Sequence, residues 1–398
     1  MRIIVLSVLV FTSLACGGGD GDTVDLMAGE FRTLPLVVVA ERERLFEHSV
    51  TGSPIAGRFA VAYTAGRSRD ITVYTQDFSA NGSDAGPLME FTGPEPSSTA
   101  RIAMNDHGDF LVAWSLSGGD TALRRIEDDL PPISFQVSST QGYSWSVDYS
   151  NDRTGLVVAA SNHTEGSRVS GLWVAEQVES HLEFELPQSM NDSEPATGVI
   201  ARDGSAVIAW ESTPEGTLLG RFSREGMPLG QPVLLTTTLS ASPQMARAGD
   251  DLIAVYIHAT QPEGAEFPTN LDIKGRRFSR DLTPLGDEFS VNARTDEPQR
   301  FPTVSAARDG SFAVTWQQGY GYASRITGIS GRRFHRDGTP AGDEFEVPDG
   351  DSFTSAEPRP FVSVTDDNTF VVVWSQSLPG GNRIVARPFI SERLQGEP

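Results

Sequence analysis

A repeated unit constrains this chain more than any other feature of its 398 residues. The clearest copy spans residues 308–347 and opens with the pair Asp309-Gly310, which precedes the alternating apolar segment 312–316. After a loop come a second strand-like segment, residues 331–334, and a second Asp-Gly pair. Asp-Gly between alternating segments is a strong hairpin signal, because both central residues of a two-residue turn need positive φ. The unit therefore predicts antiparallel strands joined by tight turns.

Seven copies of this unit align on its apolar strand, in which an apolar residue precedes an anchor residue by four positions. The pairs are Phe59 and Tyr63, Phe110 and Trp114, Leu156 and Ala160, Ala206 and Trp210, Leu252 and Tyr256, Phe312 and Trp316, and Phe370 and Trp374. Successive anchors are 46 to 60 residues apart, a period that suits a four-stranded propeller blade and exceeds those of ankyrin and tetratricopeptide repeats. A four-stranded sheet cannot cover both of its faces alone, so neighbouring units must stack and bury the anchors between them.

The two ends of the chain complete this arrangement. The sixth copy predicts the strands of one unit, a to d, at residues 303–307, 311–317, 328–335 and 343–347. In the seventh copy only one strand-like segment, residues 383–390, follows Trp374, so its strand d is missing. An apolar run at residues 34–40 precedes the first copy and would supply that strand, which removes the open edges of an unclosed array. The sequence thus predicts an all-β protein, a seven-bladed β-propeller over residues 34–391 that an N-terminal strand closes.

The N-terminus has the pattern of a targeting signal. A positive start at Met1-Arg2 is followed by an apolar run over residues 3–14, which is too short to span a bilayer comfortably. Ala15, Cys16 and a glycine-rich stretch come next, and the arrangement resembles a bacterial lipoprotein signal, in which the cysteine becomes the lipid-modified N-terminus. A plain secretory signal with an incidental cysteine is the alternative. The resemblance implies a signal peptide at 1–15, a lipidated Cys16 with a flexible tether at 16–33, and an anchor in the outer rather than the inner membrane.

The repeat itself also resembles a known group. Residues 308–347 follow the pattern Asp-Gly-x-Phe-x-Val-x-Trp and then Gly-x-Arg-Phe-x-x-Asp-Gly-x-Pro-x-Gly-x-Glu-Phe-x-Val, and residues 275–291 match its second half well. Residues 204–234 match fairly. The pattern is similar to the degenerate propeller-type repeats of many secreted bacterial surface proteins. That resemblance implies a propeller fold and an extracytoplasmic setting, and it implies no reaction. After the last predicted strand, residues 392–398 are expected to form a polar tail.

The charge and the cysteine content limit the partners. A formal net charge of −22 would repel phosphates, so nucleic-acid binding is not expected. Cys16 is the only cysteine, so no intramolecular disulfide forms. We expect a monomer, held at a membrane by its lipid anchor, whose partner is an unidentified protein or glycan.

Catalytic signatures are not found in the sequence. It contains no Gly-x-Ser-x-Gly elbow, no His-Glu-x-x-His helix and no phosphate-binding glycine loop. The six histidines are never paired at metal-ligand spacing. Asp203, Asp309 and Asp337 each precede a glycine, so turn geometry accounts for their presence. We therefore expect no cofactor and favour a role other than catalysis.

Two arginine pairs lie on strand c of consecutive copies, Arg276-Arg277 and Arg332-Arg333. Neighbouring residues of a strand point to opposite faces, so one arginine of each pair points into each blade interface. Anion recognition is one interpretation of these pairs. The other is a structural pairing with Glu288, Glu344 or a neighbouring blade.

Glu-Pro recurs where strand a begins. The four copies are Glu95-Pro96, Glu194-Pro195, Glu297-Pro298 and Glu357-Pro358. A proline that fixes an extended start, with glutamate capping a turn, explains the pattern structurally. Repeat symmetry would also place the four carboxylates at similar heights around one face. The functional alternative is therefore a ring of acceptors for a divalent cation such as calcium, or for a hydroxyl-rich ligand.

One face of the propeller carries the longest loops. In a blade whose strands run outwards from the axis, the a–b and c–d turns share one face, here called the turn face. The b–c and d–a connections share the other, here called the loop face. The longest b–c loops, residues 259–272 and 318–328, belong to the loop face, and the second carries two tyrosines among glycines. We predict a polar ligand on the loop face near the channel mouth of the fifth to seventh blades, bound by Glu297, Arg300, Tyr320, Tyr322, Glu357 and Arg359.

The leading functional interpretation is a membrane-tethered, extracytoplasmic binding or scaffolding module whose ligand the sequence does not identify. One alternative is a glycan-directed hydrolase with carboxylates at one mouth of the channel. Two carboxylates separated as in retaining or inverting glycosidases would favour this alternative. Another is a purely structural component of the cell envelope. An exposed apolar patch on the outer rim would favour the scaffolding role.

Overall fold

The computed structural model describes a large part of the chain. The described residues are 30–42, 45–53, 56–67, 70–91, 96–116, 121–127, 130–137, 142–163, 166–174, 181–186, 196–212, 214–238, 241–260, 270–319, 326–347, 359–366 and 369–392. All the regular secondary structure in these ranges consists of β-strands. Within them, therefore, no helix has the length and apolar character needed to cross a membrane.

The strands form seven small antiparallel sheets, which are the blades of a β-propeller, and the predicted fold class is confirmed. Two N-terminal strands, β1 (Glu30–Thr33) and β2 (Val37–Arg42), precede the first blade. The strands of blades 1 to 3 are β3 (Leu45–Ser53), β4 (Arg58–Arg67), β5 (Asp70–Ser79), β6 (Met89–Phe91), β7 (Pro96–Met104), β8 (Phe110–Leu116), β9 (Thr121–Glu127), β10 (Leu130–Val137), β11 (Gly142–Tyr149), β12 (Gly155–His163), β13 (Gly166–Val174) and β14 (His181–Glu185). Those of blades 4 to 7 are β15 (Thr197–Ile200), β16 (Ala206–Ser212), β17 (Gly216–Phe222), β18 (Val233–Thr236), β19 (Gln244–Ala248), β20 (Asp251–Thr260), β21 (Asn270–Phe278), β22 (Phe289–Ser290), β23 (Gln299–Ala306), β24 (Phe312–Gly319), β25 (Ile326–Phe334), β26 (Phe345–Glu346), β27 (Phe361–Asp366), β28 (Thr369–Leu378) and β29 (Gly381–Glu392).

The N-terminus closes the ring, as predicted from the missing strand d of the seventh copy. Blade 7 has only three strands of its own, and β2 pairs antiparallel with the first half of β29, from Val37 opposite Ala386 to Arg42 opposite Asn382. The pairing begins earlier than the predicted boundary at residue 34, because β1 pairs with the second half of β29. Between the two strands, the N–H of Leu34 donates to the carbonyl of Pro388 at 2.9 Å, so the interruption at 34–36 does not open the edge.

The apolar core is divided among the blade interfaces. Seven clusters of buried side chains each join two consecutive blades, and one of them joins blade 7 to blade 1 through β2, β4 and β28. Six of the seven predicted anchors lie within these clusters: Trp210, Tyr256, Trp316 and Trp374 are fully buried, and Tyr63 and Trp114 are nearly so. The side chain of the seventh, Ala160, lies outside the described part. Stacking of apolar faces therefore supplies the main favourable contribution to the stability of the ring.

The Asp-Gly turns differ in one respect from the prediction. Only the glycines have positive φ, for example 90° at Gly310, whereas Asp309 is not in the left-handed region. The Asp309 side chain instead accepts from the N–H of Ser311 at 2.9 Å, and the N–H of Gly310 donates to Ala307. The prediction that both central residues need positive φ was therefore wrong for this turn. Its geometry is that of a longer hairpin loop with glycine in the left-handed position.

The glycine of the Gly-x-Arg-Phe motif has a packing role that the motif alone does not reveal. Gly275 and Gly331 on strand c lie opposite Phe289 and Phe345 on strand d. A Cβ atom at either glycine would lie 2.5 Å from the Cζ atom of that phenylalanine ring. The ring therefore lies over a bare backbone, which explains why Gly and Phe recur together in the repeat.

The neighbouring arginines of the same motif make structural contacts between blades. Arg277 of blade 5 donates to the carbonyl of Asp337 in blade 6 at 3.0 Å. Arg332 of blade 6 donates to the carbonyl of Val291 in blade 5 at 3.3 Å. The pairing with a neighbouring blade, one of the two interpretations left open by the sequence, thus accounts for both side chains.

Candidate functional site

A channel runs through the centre of the propeller. Its volume is about 1340 Å³, and residues from strand a of all seven blades line it. Cavities that hold small ligands are commonly about 300–1000 Å³. The channel is therefore large enough for a ligand of several linked units, and its two mouths open on the turn face and on the loop face.

Polar side chains join the inner strands around the channel. On strand a of one blade, a Ser, Thr or Asp side chain accepts a hydrogen bond from a backbone N–H on strand a of the next blade. The acceptor and donor residues are Thr51 and Met104, Ser146 and Gly198, Asp148 and Ile200, Thr303 and Val362, and Ser305 and Val364, at distances from 2.6 to 3.1 Å. These bonds satisfy strand-edge donors that no neighbouring strand reaches.

The described channel lining has the opposite charge balance to the whole chain. Its charged residues are seven arginines and four aspartates: Arg101, Arg202, Arg224, Arg247, Arg300, Arg308, Arg359, Asp106, Asp148, Asp152 and Asp203. The chain as a whole carries a formal net charge of −22. A positive lining in an acidic protein is not what surface composition alone would produce, and it raises the local concentration of anions.

Acidic and basic groups are paired with each other at the turn-face mouth. Arg224 of blade 4 forms an ion pair with Asp152 of blade 3 at 2.5 Å, and Arg221 pairs with Asp203 at 2.7 Å. Asp106 accepts a hydrogen bond from the Asn151 side chain of the next blade at 2.8 Å. These groups hold neighbouring turns together, so we assign them a structural role.

Asp148 lies deeper in the channel wall. Burial raises the pKa of its carboxyl, against the opposing effects of the Arg247 guanidinium and of two backbone N–H groups. Those groups belong to Ile200 and Tyr149, at 2.6 and 2.8 Å. Asp148 occupies the same place in its blade as Ser305 does in blade 6, where a neutral hydroxyl makes the equivalent bond. The repeat thus supplies a structural explanation for Asp148.

The loop-face mouth contains a compact cluster of two arginines and one aromatic ring. The guanidinium carbon of Arg359 lies 4.6 Å from the centroid of the Phe301 ring, and that of Arg300 lies 5.2 Å from it. Phe301 has a φ of 51° and Arg359 a φ of 24°. Positive φ is costly for residues with bulky side chains, and such strain is frequently found at binding sites.

The six predicted site residues have different outcomes. The structure brings Arg300 and Arg359 together at the predicted mouth, whereas Glu297 is half-buried near the start of β23 and does not line the channel. Tyr320, Tyr322 and Glu357 lie outside the described residues. Phe301 was missed by the sequence reasoning, because a phenylalanine beside a strand gives no sign of a left-handed backbone.

The predicted ring of Glu-Pro carboxylates is mostly outside the described ranges as well. Of its four glutamates, only Glu297 belongs to them. Within those ranges, no group of three or more His, Cys, Asp or Glu side chains is placed to hold a metal ion. The calcium alternative therefore stays a prediction.

Comparison with known proteins identifies the fold. No protein-family model and no curated protein matches the chain. A streptogramin B lyase structure is 11% identical, with a TM-score of 0.54 over 92% of this chain and 99% of the other. A catalytically inactive virginiamycin B lyase from Staphylococcus aureus, solved with quinupristin, is 10% identical, with a TM-score of 0.55 over 90% and 99%. A polysaccharide lyase is 9% identical, with a TM-score of 0.50 over 90% and 91%. At such identities the likeness shows the propeller fold alone.

Proposed function

We propose that the protein is an extracytoplasmic binding module, tethered to a membrane through Cys16, whose ligand binds at the loop-face mouth of the channel. The observation that carries the proposal is the cluster of Arg300, Phe301 and Arg359 at that mouth. Two hydrogen-bond donors around a strained aromatic residue suit recognition of a polar ligand. The turn face, by contrast, is explained by turn geometry and by ion pairs between blades.

A glycan-directed hydrolase is the second candidate, and Asp148 is the observation that favours it. A carboxyl whose pKa is raised by burial is what a general acid requires, and fold neighbours include a polysaccharide lyase. Both oxygens of Asp148, however, already accept backbone hydrogen bonds. Asp152 and Asp203 in the described lining are ion-paired with arginines. The described lining therefore favours binding over the paired-carboxylate chemistry of glycosidases.

A scaffold role is favoured by exposed apolar side chains on blades 3 and 4. Met227 and Leu229 in the c–d turn of blade 4 are 63% and 45% exposed, and Leu182 on β14 is 39% exposed. The turn lies against β14, because a Cβ at Gly226 would be 2.7 Å from the Cβ of Phe184. Exposed apolar groups on adjacent blades are typical of partner surfaces.

The membrane tether leads to the first prediction. If Cys16 carries lipid, the protein is expected to fractionate with outer membranes. Two or more lipid chains on one protein anchor it stably, whereas a single chain does not. Cys16→Ala should release the protein or block its processing, whereas Ser13→Ala should leave its fractionation unchanged. Fractionation and mass spectrometry of the mature N-terminus test this expectation. Recovery of unmodified mature protein from the soluble fraction would contradict it.

The ligand site leads to the second prediction. A screen of glycan and peptide arrays with residues 22–398, which keep every described strand, supplies the probe. Tyr320→Ala, Tyr322→Ala, Glu297→Gln and Glu357→Gln together should abolish binding of the strongest array hit, because the sequence predicts all four residues to belong to the loop face. The melting temperature should change little.

A turn-face variant is the matched control for that prediction. Glu225→Gln with Asp287→Asn removes two exposed acids from c–d turns, and its binding should equal that of the parent. Undiminished binding in the loop-face variant would show that the ligand binds elsewhere.

A further inference from the structure

The charged side chains of the channel are distributed unequally between its two mouths. The acids of the described lining lie at the turn-face mouth or deeper in the wall, and Arg221 and Arg224 pair with two of them. At the loop-face mouth the described lining contributes Arg300 and Arg359 and contributes no acid. Among the described residues, the loop-face mouth is therefore the cationic end of the channel, in a protein whose net charge is strongly negative.

The Arg300 side chain has an unsatisfied hydrogen-bond donor. The side chain is half-buried, and its Nε atom is buried without a hydrogen-bond partner in the structure. Its guanidinium lies beside the Phe301 ring, which supplies a π-face but no hydrogen-bond acceptor. A buried donor without an acceptor is unfavourable, so a ligand oxygen that reached this guanidinium would gain a charge-assisted hydrogen bond.

We propose that the loop-face mouth binds an acidic oligosaccharide, whose carboxylate or sulfate groups are held by Arg300 and Arg359 around Phe301. The inference rests on the loop-face binding function proposed above and names the ligand class. A guanidinium forms two parallel hydrogen bonds with a carboxylate or sulfate, and an aromatic ring offers a face on which a sugar packs.

The inner strands favour a sugar over an acidic peptide. An extended peptide commonly binds by adding a strand to an exposed sheet edge. In this channel, side chains of the preceding blade already accept from edge N–H groups, including those of Met104, Gly198 and Val362. A sugar needs no such edge, and a channel volume of about 1340 Å³ suits an oligomer rather than a single ring.

The test uses four labelled probes with residues 22–398: a galacturonic acid tetramer, a sulfated galactose tetramer, the neutral galactose tetramer and a hexaglutamate peptide. Fluorescence polarisation at low and at physiological salt gives their affinities. We expect one acidic tetramer or both to bind at least about tenfold more tightly than the neutral one, because hydrogen bonds to charged groups contribute that much affinity. The acidic tetramer that binds more tightly identifies carboxylate or sulfate as the recognised group.

Two variants locate the site. Arg300→Gln with Arg359→Gln should weaken binding of the acidic tetramer about tenfold or more and leave the melting temperature nearly unchanged. Arg202→Gln, at the turn-face mouth, removes an exposed arginine that pairs with exposed Asp250, and its affinity should equal that of the parent. An equal loss in both variants would overturn the proposed position.

The remaining outcomes separate this inference from the proposed function. If the neutral tetramer binds as tightly as the acidic ones and the four-residue loop-face variant abolishes that binding, the binding function stands and the acidic ligand is wrong. Tighter binding of hexaglutamate than of either acidic tetramer would overturn the sugar class. Failure of every acidic sugar to bind at millimolar concentration would overturn the inference as a whole.

Discussion

Deletion of residues 22–41 is expected to cause aggregation or a very large loss of stability. The deletion removes β1 and nearly all of β2, which together cover the outer edge of β29 over most of its length. It also removes Val39 and Ala40 from the apolar cluster that joins blade 7 to blade 1. An uncovered, apolar strand edge is a template for association, so the effect should far exceed the usual result of trimming a terminus.

The shorter deletion of residues 22–29 is the control, because it ends before the first described strand. Its melting temperature and its elution in size-exclusion chromatography should match those of residues 22–398. If the longer deletion also remained monomeric with the parent's melting temperature, strand closure would not contribute to the stability of the ring.

Trp316→Ala is expected to lower the free energy of unfolding by about 3–5 kcal/mol. The side chain is fully buried on β24 and packs in the cluster between blades 5 and 6. Truncation leaves a cavity that the sheets on either side cannot fill, because both are held by their own strand pairings. Chemical denaturation monitored by circular dichroism measures the change.

Two variants make this measurement specific. Trp316→Phe should cost clearly less, because it keeps a buried ring and removes an indole N–H that has no hydrogen-bond partner. Leu234→Ala should have little effect, since that side chain is 44% exposed. A loss for Trp316→Ala as small as that for Leu234→Ala would contradict burial of the anchor between blades.

Much of the fold follows from local signals that each copy repeats. A residue such as Trp374 marks strand b in its own copy, and the absence of a strand after residues 383–390 predicted that the N-terminus would complete the sheet. The conformation of Asp309 was not predictable from the dipeptide, because the same Asp-Gly pair occurs in hairpin loops of different length. Here the hydrogen bond from Ser311 to the Asp309 side chain accompanies the longer loop.

The site was predictable only in part, because it is assembled from residues far apart in the chain. Loop length pointed to the face on which Arg300 and Arg359 lie, yet their approach to one ring depends on how blades 6 and 7 are placed. The separation of charges between the two mouths has the same origin: in the described lining no blade contributes more than three charged residues, and no single copy shows the pattern. Bonds such as that from Val364 to Ser305 are equally invisible, because they join sheets that are separate in sequence.

Hydrogen–deuterium exchange of residues 22–398, with and without the acidic tetramer that binds most tightly, shows which face of the propeller holds the ligand. We predict slower exchange on binding at residues 299–304 and 361–364, where strand a begins on the loop face. Slower exchange confined to residues 203–205 and 309–311, the Asp-Gly turns of the opposite face, would contradict it.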